Sequence, residues 1–378
     1  MVVGVSLLAL AGGVATGLEG AGAAPGSPGR TAAVQARVTT APAHRPRPSH
    51  RVTTSRPATG TRTTSAPPTS TSTTATRTSA TSTTATRTSA TTTAQNSGTS
   101  TTSTGAATTG VTQGWAATSA PADYLLAPRG SSTVQPGRAA DGALDGKAVA
   151  LTIPAGAGAT PDNAAEVESR RTFRSGTFSS RVRTPDCSGQ RTTGAVTGMF
   201  TYGNDGRDHD GDGIVDNSEL DVEILCAAPQ ELNLTIWTDY NDSDGAQRRV
   251  TRVVDLRAGR VVSTGYCTDF SGDCRPLSGA EATPASVAAV PGFDSSAAFH
   301  DYRIDWSPDR VVFTVTVDGR DVVLWDYRGP TDRIPQGASS YLVNLWHTDD
   351  WSPTGLTARG APTAPLTALV DSTTVPAS

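Results

Sequence analysis

No aromatic residue occurs before Trp115. All 20 aromatics and all four cysteines stand at that position or later in a chain of 378 residues. A packed core needs large apolar side chains, so the first 114 residues cannot close one around themselves. The charge divides at nearly the same place. Of 35 acidic residues only Glu19 precedes Asp123, and nine arginines with no acid lie between those two positions. The stretch that remains, 123–378, suits one large domain or two small ones. Its acidic balance argues against a nucleic-acid-binding core, because phosphate recognition wants a basic face on the folded part.

Met1 to Leu18 is an uncharged apolar run, and Ala21-Gly22-Ala23 before Ala24 has the small-x-small form of a cleavage site. Residues 1–23 therefore read as a secretory signal peptide, although no basic residue precedes the apolar run. The competing reading is an uncleaved anchor, since 18 apolar residues just reach across a bilayer. Otherwise no stable membrane domain is expected. Residues 51–110 hold 36 Ser or Thr in 60, and TSTTATRTSA repeats in tandem at 71–80 and 81–90. Such a segment has almost nothing to bury, so 24–122 is predicted to be a disordered linker, either an O-glycosylated stalk or a plain spacer. Cys187, Cys226, Cys267 and Cys274 admit three pairings. Cys267 and Cys274 close a short Asp/Gly-bearing loop, which leaves Cys187 for Cys226. Two disulfides fit a secreted or wall-associated protein, and no CxxC spacing or His cluster suggests zinc.

From about residue 146 the chain is a series of short runs with period-two alternation, split by Gly, Pro, Asp and Ser. The clearest are Lys147–Ile153, Gly176–Thr184, Ala195–Tyr202, Glu219–Cys226, Leu232–Thr238, Arg248–Leu256, Asp301–Trp306, Val311–Val317, Asp321–Trp325 and Tyr341–Trp346. No window of a dozen residues carries a helical stripe. The pattern predicts an all-β domain over 123–378, two stacked antiparallel sheets in a lectin-like jelly-roll sandwich. Asp318-Gly319 between two such runs is a hairpin turn.

Glu219-Leu220-Asp221-Val222-Glu223-Ile224 is the most informative stretch. Alternate strand residues share a face, so three carboxyls project together while Leu220, Val222 and Ile224 point into a core. A solvated polar face is the ordinary reading of such a pattern. Three like charges in file repel, however, and nothing basic stands nearby in sequence to relieve them. Glycoside hydrolysis needs one ionised and one protonated carboxyl flanking the scissile bond. Four strand residues separate the Cα atoms of Glu219 and Glu223 by about 13 Å. Retaining chemistry wants the carboxyls about 5–5.5 Å apart, a gap that two long side chains on a curved face can narrow. Asp221 between them disfavours a second ionisation and helps keep one Glu protonated.

The stretch resembles the E-[ILV]-D-x-E signature of glycoside hydrolase family 16, in the regular five-residue form seen in lichenases and xyloglucan-active relatives. The likeness continues in order along the chain. Phe178 to Arg183 and Gly194 to Tyr202 resemble the strands before the catalytic one. Phe299-His-Asp-Tyr-Arg-Ile-Asp-Trp306 followed by Val317-Asp318-Gly319 resembles the family's "FHxYxxxW…VDG" strand pair, and Val343-Asn-Leu-Trp346 with Asp349-Asp-Trp351 resembles its late "NLW…DDW" segment. The resemblance implies that Glu219 is the nucleophile, Asp221 its assistant and Glu223 the acid/base. It departs from the lichenases in Asp216-Asn217-Ser218, where a Trp usually precedes the motif, and in Thr235, where Asn is usual. The expected reaction is hydrolysis of a 1,3- or mixed 1,3-1,4-linked β-glucan. Transglycosylation on the same residues and a non-catalytic lectin-like module are the rival readings. A monomer with a polysaccharide substrate and no organic cofactor is expected.

Sugar rings present apolar faces, so a glycan cleft wants aromatic platforms with polar edges. Trp237, Trp346 and Trp351, with Asn344 and Tyr202, are the candidates; Trp306 and Trp325 are assigned to the core. Finally, Asp208-His-Asp210-Gly-Asp212-Gly213-Ile214-Val-Asp216-Asn-Ser-Glu219 matches the twelve-position calcium loop at every anchor. Its oxygens would come from Asp208, Asp210, Asp212, the Ile214 carbonyl and Asp216 through water. Glu219 cannot be both a bidentate calcium ligand and a free nucleophile, and it is assigned to catalysis.

Overall fold

The computed structural model describes residues 110–158, 163–241, 244–269, 274–349 and 358–377. The proposed signal segment, and the linker up to residue 109, lie outside these residues. Among the described residues seventeen strands run in chain order: β1 (Val111–Gly114), β2 (Tyr124–Arg129), β3 (Thr133–Ala139), β4 (Lys147–Ile153), β5 (Ala164–Ser169), β6 (Gly176–Arg183), β7 (Ala195–Tyr202), β8 (Asp216–Leu225), β9 (Glu231–Tyr240), β10 (Gln247–Asp255), β11 (Arg260–Cys267), β12 (Arg275–Pro276), β13 (His300–Ser307), β14 (Arg310–Val317), β15 (Arg320–Tyr327), β16 (Ser340–His347) and β17 (Leu366–Val375). They form two antiparallel sheets. One has the order β15-β14-β13-β6-β17-β4-β3, with β1 also on β17; the other has the order β12-β11-β10-β9-β8-β7-β16-β5-β2. The all-β sandwich expected from the alternation is what forms.

Burial pins the register of β8, the middle strand of the nine. Leu220, Val222 and Ile224 are fully buried and share one cluster with Leu232, Leu234 and Ile236 of β9 and with Val149, Leu151 and Ile153 of the opposite sheet. Each such side chain contributes roughly 1.5–3 kcal/mol on leaving water. A slip of one residue would put Glu219, Asp221 and Glu223 into that core instead, so only one register is tolerable. Between β14 and β15, Asp318 (φ 50°) and Gly319 (φ 73°) make the expected two-residue turn. Both central positions take positive φ, the form that suits the twist of a hairpin.

The folded body begins earlier than the predicted boundary at 123. Residues 111–114 pair with Ser372 to Val375 of β17, and Trp115 is buried. Its ring meets Tyr124 edge-on at 5.2 Å, and its indole N–H donates to Thr373 Oγ1 at 3.3 Å. A buried Trp contributes about 3–5 kcal/mol against alanine. That is enough to hold a short polar segment to the sandwich, so the linker's last dozen residues belong to the domain.

Both expected disulfides form. Cys187 joins Cys226 with Cα atoms 5.6 Å apart, just beyond the end of β8, and Cys267 joins Cys274 at 4.4 Å. Among the described residues no helix is long and apolar enough to cross a membrane.

Candidate active site

Glu219, Asp221 and Glu223 come together on one face of β8, flanked by β7 and β9. Glu219 and Asp221 are buried and Glu223 is half-buried. Across the ladder, Glu219 stands opposite Trp237, Asp221 opposite Thr235 and Glu223 opposite Asn233. On the other side Glu223 faces Gly198, which in turn faces Asn344 of β16. A Cβ built on Gly198 would stand 2.7 Å from Asn344 Oδ1, so only glycine fits here without displacing the buried Asn344 side chain.

The carboxyls are tied to one another and to their neighbours. Asn217 donates its amide to Glu219 Oε2 at 2.7 Å, and Trp237 donates its indole N–H to Asp221 Oδ2 at 2.9 Å. Asp221 shares a hydrogen bond with Glu219, and the Trp346 indole bonds Glu223. Burial pushes Glu219 up to about 7, although the bonds from Asn217 and Asp221 hold it down. Glu223 is pushed up to about 8 by burial and by the Glu219 charge, against the pull of Trp346 and Arg249. Asp221 rises well above the usual carboxylate range through burial and the charges of Glu219 and Glu223. The three titrate as a set, and near neutral pH the row holds protonated and ionised members side by side. That mixed state is what acid/base work with a carboxylate partner requires.

The expected aromatic platforms take different roles. Trp237 is half-buried on the carboxylate face, its ring edge-on to Tyr240 at 6.0 Å. Trp346 is only 3% exposed and packs with Ala164, Val196, Leu225, Ala227 and Ala358. It is therefore a buried donor to Glu223, because small residues on the neighbouring strands let the ring sink among them. Asn344 is buried with its amide toward Glu166 Oε2 at 3.5 Å. Tyr202 closes β7 opposite Ser340, one position past the pairing of Thr201 with Leu220, which places it near the level of Glu219. Trp351 lies outside the described residues.

Four members of this environment escape a reading of the sequence. Asn217 precedes Glu219 by two positions, and its Asx character was the only available signal. Glu166 of β5 is buried beside Asn344, with Arg129 at 3.8 Å, and burial pushes it up to about 7. Arg249 of β10 stands opposite Trp237 with its guanidinium 4.7 Å from the ring centre. Asp239 of β9 is buried opposite Asp216.

The acidic loop folds as a tight turn leading into β8. Asp208 accepts backbone N–H bonds from Gly211, Asp212 and Gly213, which hold its carboxyl below the usual range. Asp212 Oδ1 accepts from the Ile214 N–H at 2.9 Å, and its other oxygen pairs with Arg248. Carboxylate oxygens of Asp208, Asp210 and Asp216 lie within 4.8 Å of one another, as do those of Asp210, Asp212 and Asp239. Glu219 is turned away to Asn217 and Asp221, so the twelfth loop position does not close on this group. Burial and the Asp212 charge push Asp239 up to about 6. A cavity of about 630 Å³ opens beside the loop, lined by Asp210, Asp216, Asn217, Asp239 and Asp332 among others, and none of the three row carboxyls lines it.

Residues 278–359 match the family model described as glycosyl hydrolases family 16. That segment resembles family 16. The family 16 match takes in β13 to β16, including the Phe299–Trp306 and Val343–Trp346 segments, and does not extend to β8. A segment of 63 residues is 41% identical to a xylanase/beta-glucanase of Ruminococcus flavefaciens, covering 16% of this chain and 7% of that protein. The same measure against a beta-glucanase of Acetivibrio thermocellus is 41% over 63 residues, 16% of this chain and 17% of the relative. The chain thus spans less than a fifth of either relative's length. Among solved structures, a Bacillus licheniformis beta-glucanase is 15% identical with a TM-score of 0.40, covering 71% of this chain and 98% of that one. An apo transglycosylase gives 16%, 0.40, 71% and 85%.

Proposed function

We propose that this chain is a secreted retaining endo-β-glycosidase of family 16 acting on a 1,3- or mixed 1,3-1,4-linked β-glucan. The observation that carries the reading is the row of three carboxyls on one face of β8, Glu219 and Asp221 buried and sharing a hydrogen bond and Glu223 half-buried beside them, all raised above the usual carboxylate range. In the first step the ionised Glu219 attacks the anomeric carbon while Glu223 gives its proton to the departing glycosidic oxygen. A glycosyl ester on Glu219 results. In the second, Glu223 takes a proton from water, the hydroxide oxygen bonds to the anomeric carbon, and the Glu219 ester bond breaks. Asp221, held by Trp237, steadies Glu219 through their shared hydrogen bond. The test is reducing-end release from laminarin, lichenan, xyloglucan, agarose and carrageenan. Cleavage of laminarin or lichenan with little action on the others supports the reading. No release from any of them, with glycan retained on the protein, would make it a binding module. Larger products in place of new reducing ends would make it a transglycosylase.

Export is part of the same proposal, supported by the two disulfides and by the apolar start of the chain. Calcium is proposed for the 208–216 loop as a structural ion, held by Asp208, Asp210, Asp212, the Ile214 carbonyl and Asp216 through water, with Asp239 close to Asp210 and Asp212. These crowded carboxylates repel when unneutralised, so a divalent ion favours the folded form. An extracellular site of this type binds at about 10⁻⁴ M, so 10 mM calcium stabilises by about 2.7 kcal/mol. The melting temperature should rise by roughly 5–10 °C over a chelated sample. The Asp210→Ala, Asp212→Ala variant should lose that response. A melting curve indifferent to chelator would leave Arg248 as the loop's counter-charge and remove the ion from the account.

A further inference from the structure

The carboxylate row needs a cation, and the strand sequence supplies none; the sheet does. Arg249 of β10, Trp237 of β9 and Glu219 of β8 stand opposite one another on three adjacent strands. The Arg249 guanidinium lies over the Trp237 ring at 4.7 Å, within cation–π range. The same indole donates to Asp221 Oδ2 at 2.9 Å. Stacking is directional, so the guanidinium fixes the ring plane, and the ring plane fixes where the N–H points.

We propose that Arg249 is a positioning residue for the carboxylate row: it clamps Trp237 so that the indole meets Asp221, and it is the cation against which Asp221 and Glu223 ionise. The inference rests on the two-carboxylate reading of the site. Burial lowers Arg249 to about 10, against the pull of Asp221 and Glu223 from β8 and of Asp269, beyond the end of β11. Around the row stand Glu219 on β8 itself, Tyr202 of β7, Tyr240 of β9 and Glu166 of β5. Arg249 is the basic group that acts on Glu223 from β10, and it lowers that carboxyl while Glu219 raises it. A half-buried site weakens the screening that would otherwise erase such a pairing.

The experiment compares wild type with Arg249→Met, which keeps a stem of similar length without the charge, and with Arg249→Lys, which keeps charge without the flat fork. Carboxyl ¹³C resonances of Glu and Asp are titrated in each full-length protein, assigned by their loss in Glu219→Gln and Glu223→Gln. The Trp237 indole N–H resonance is followed alongside, and the pH profile of kcat/KM is measured on the glucan that the protein cleaves best. In Arg249→Met the row's midpoints should move up by about one unit, as expected on removing an opposite charge at this range. The indole resonance should move upfield as its bond to Asp221 loosens. Arg249→Lys should recover the midpoints but not the indole signal, because an ammonium lacks the planar stack. Unmoved midpoints together with an unmoved indole resonance would overturn the proposal. If Arg249→Met does not fold, Arg249→Gln is titrated in its place and judged by the same outcomes. The NMR readouts need no turnover, so moved midpoints in a protein that cleaves nothing would retire the hydrolase reading and keep Arg249's role. An active enzyme with unmoved signals would do the reverse.

Discussion

Glu219→Gln and Glu223→Gln should each cut turnover of an unactivated glucan by at least about 10²–10⁴-fold, the range that a positioned acid or base contributes. The two losses should differ in kind. A Gln at 219 cannot form the glycosyl ester, so its loss persists whatever the leaving group. A Gln at 223 removes only proton delivery to the departing oxygen in the first step. With an activated aryl leaving group, which needs no proton, Glu223→Gln should still form the ester and stall at its hydrolysis. Glycan binding should survive in both, because Gln keeps the shape and the hydrogen-bonding reach of Glu. Asp221→Asn should lose less than either, since it acts through Glu219 and Trp237. Near wild-type turnover in both Gln variants would remove the assignment.

The same row should cost the fold stability in alkali. Glu223 is raised from the ordinary 4.5 to about 8 in the folded chain, chiefly by burial. A carboxyl that holds its proton longer when folded favours the fold below the unfolded value. That contribution fades as pH climbs from about 4.5 and is gone above about 8. Between those limits the folded state binds more protons than the unfolded one, so stability falls with rising pH. One pKa unit corresponds to about 1.4 kcal/mol, so the whole effect is on the order of a few kcal/mol. Glu223→Gln should therefore melt at nearly the wild-type temperature at pH 4 and several degrees higher at pH 9. Equal melting offsets at the two pH values would mean that the row is not strained by its charge.

What was legible in the sequence follows from which forces act along a strand and which act across a sheet. β6 and β13 alternate buried and half-buried positions, and β4 and β7 keep the limits of the runs Lys147–Ile153 and Ala195–Tyr202 although nearly every position in them is buried. The side-chain period of two also places Glu219, Asp221 and Glu223 on one face without reference to any partner. β2 and β3 escaped notice because Pro128 and Pro136 interrupt them. Both are edge strands, where a missing N–H is tolerated. β17 was hidden because its pattern breaks at the register shift between Val370 and Ser372, where Asp371 is buried against Arg181. Arg249, Glu166 and Asp239 could not be placed because they reach the site or the loop through ladder pairings between strands distant in sequence. Trp346 shows the converse. Its proximity to the row was readable, but its burial depends on Ala164 and Val196 from strands that only the fold brings beside it.

The central claim is that Glu219 attacks the anomeric carbon and carries the sugar between two steps. It is tested most directly by brief exposure to a 2-deoxy-2-fluoro gluco-oligosaccharide with a good leaving group, followed by peptide mass mapping. The account predicts a single added glycosyl unit on the peptide containing Glu219, absent in Glu219→Gln, with first-formed product of retained β configuration. A label on any other residue, or a first product of inverted configuration, would contradict it.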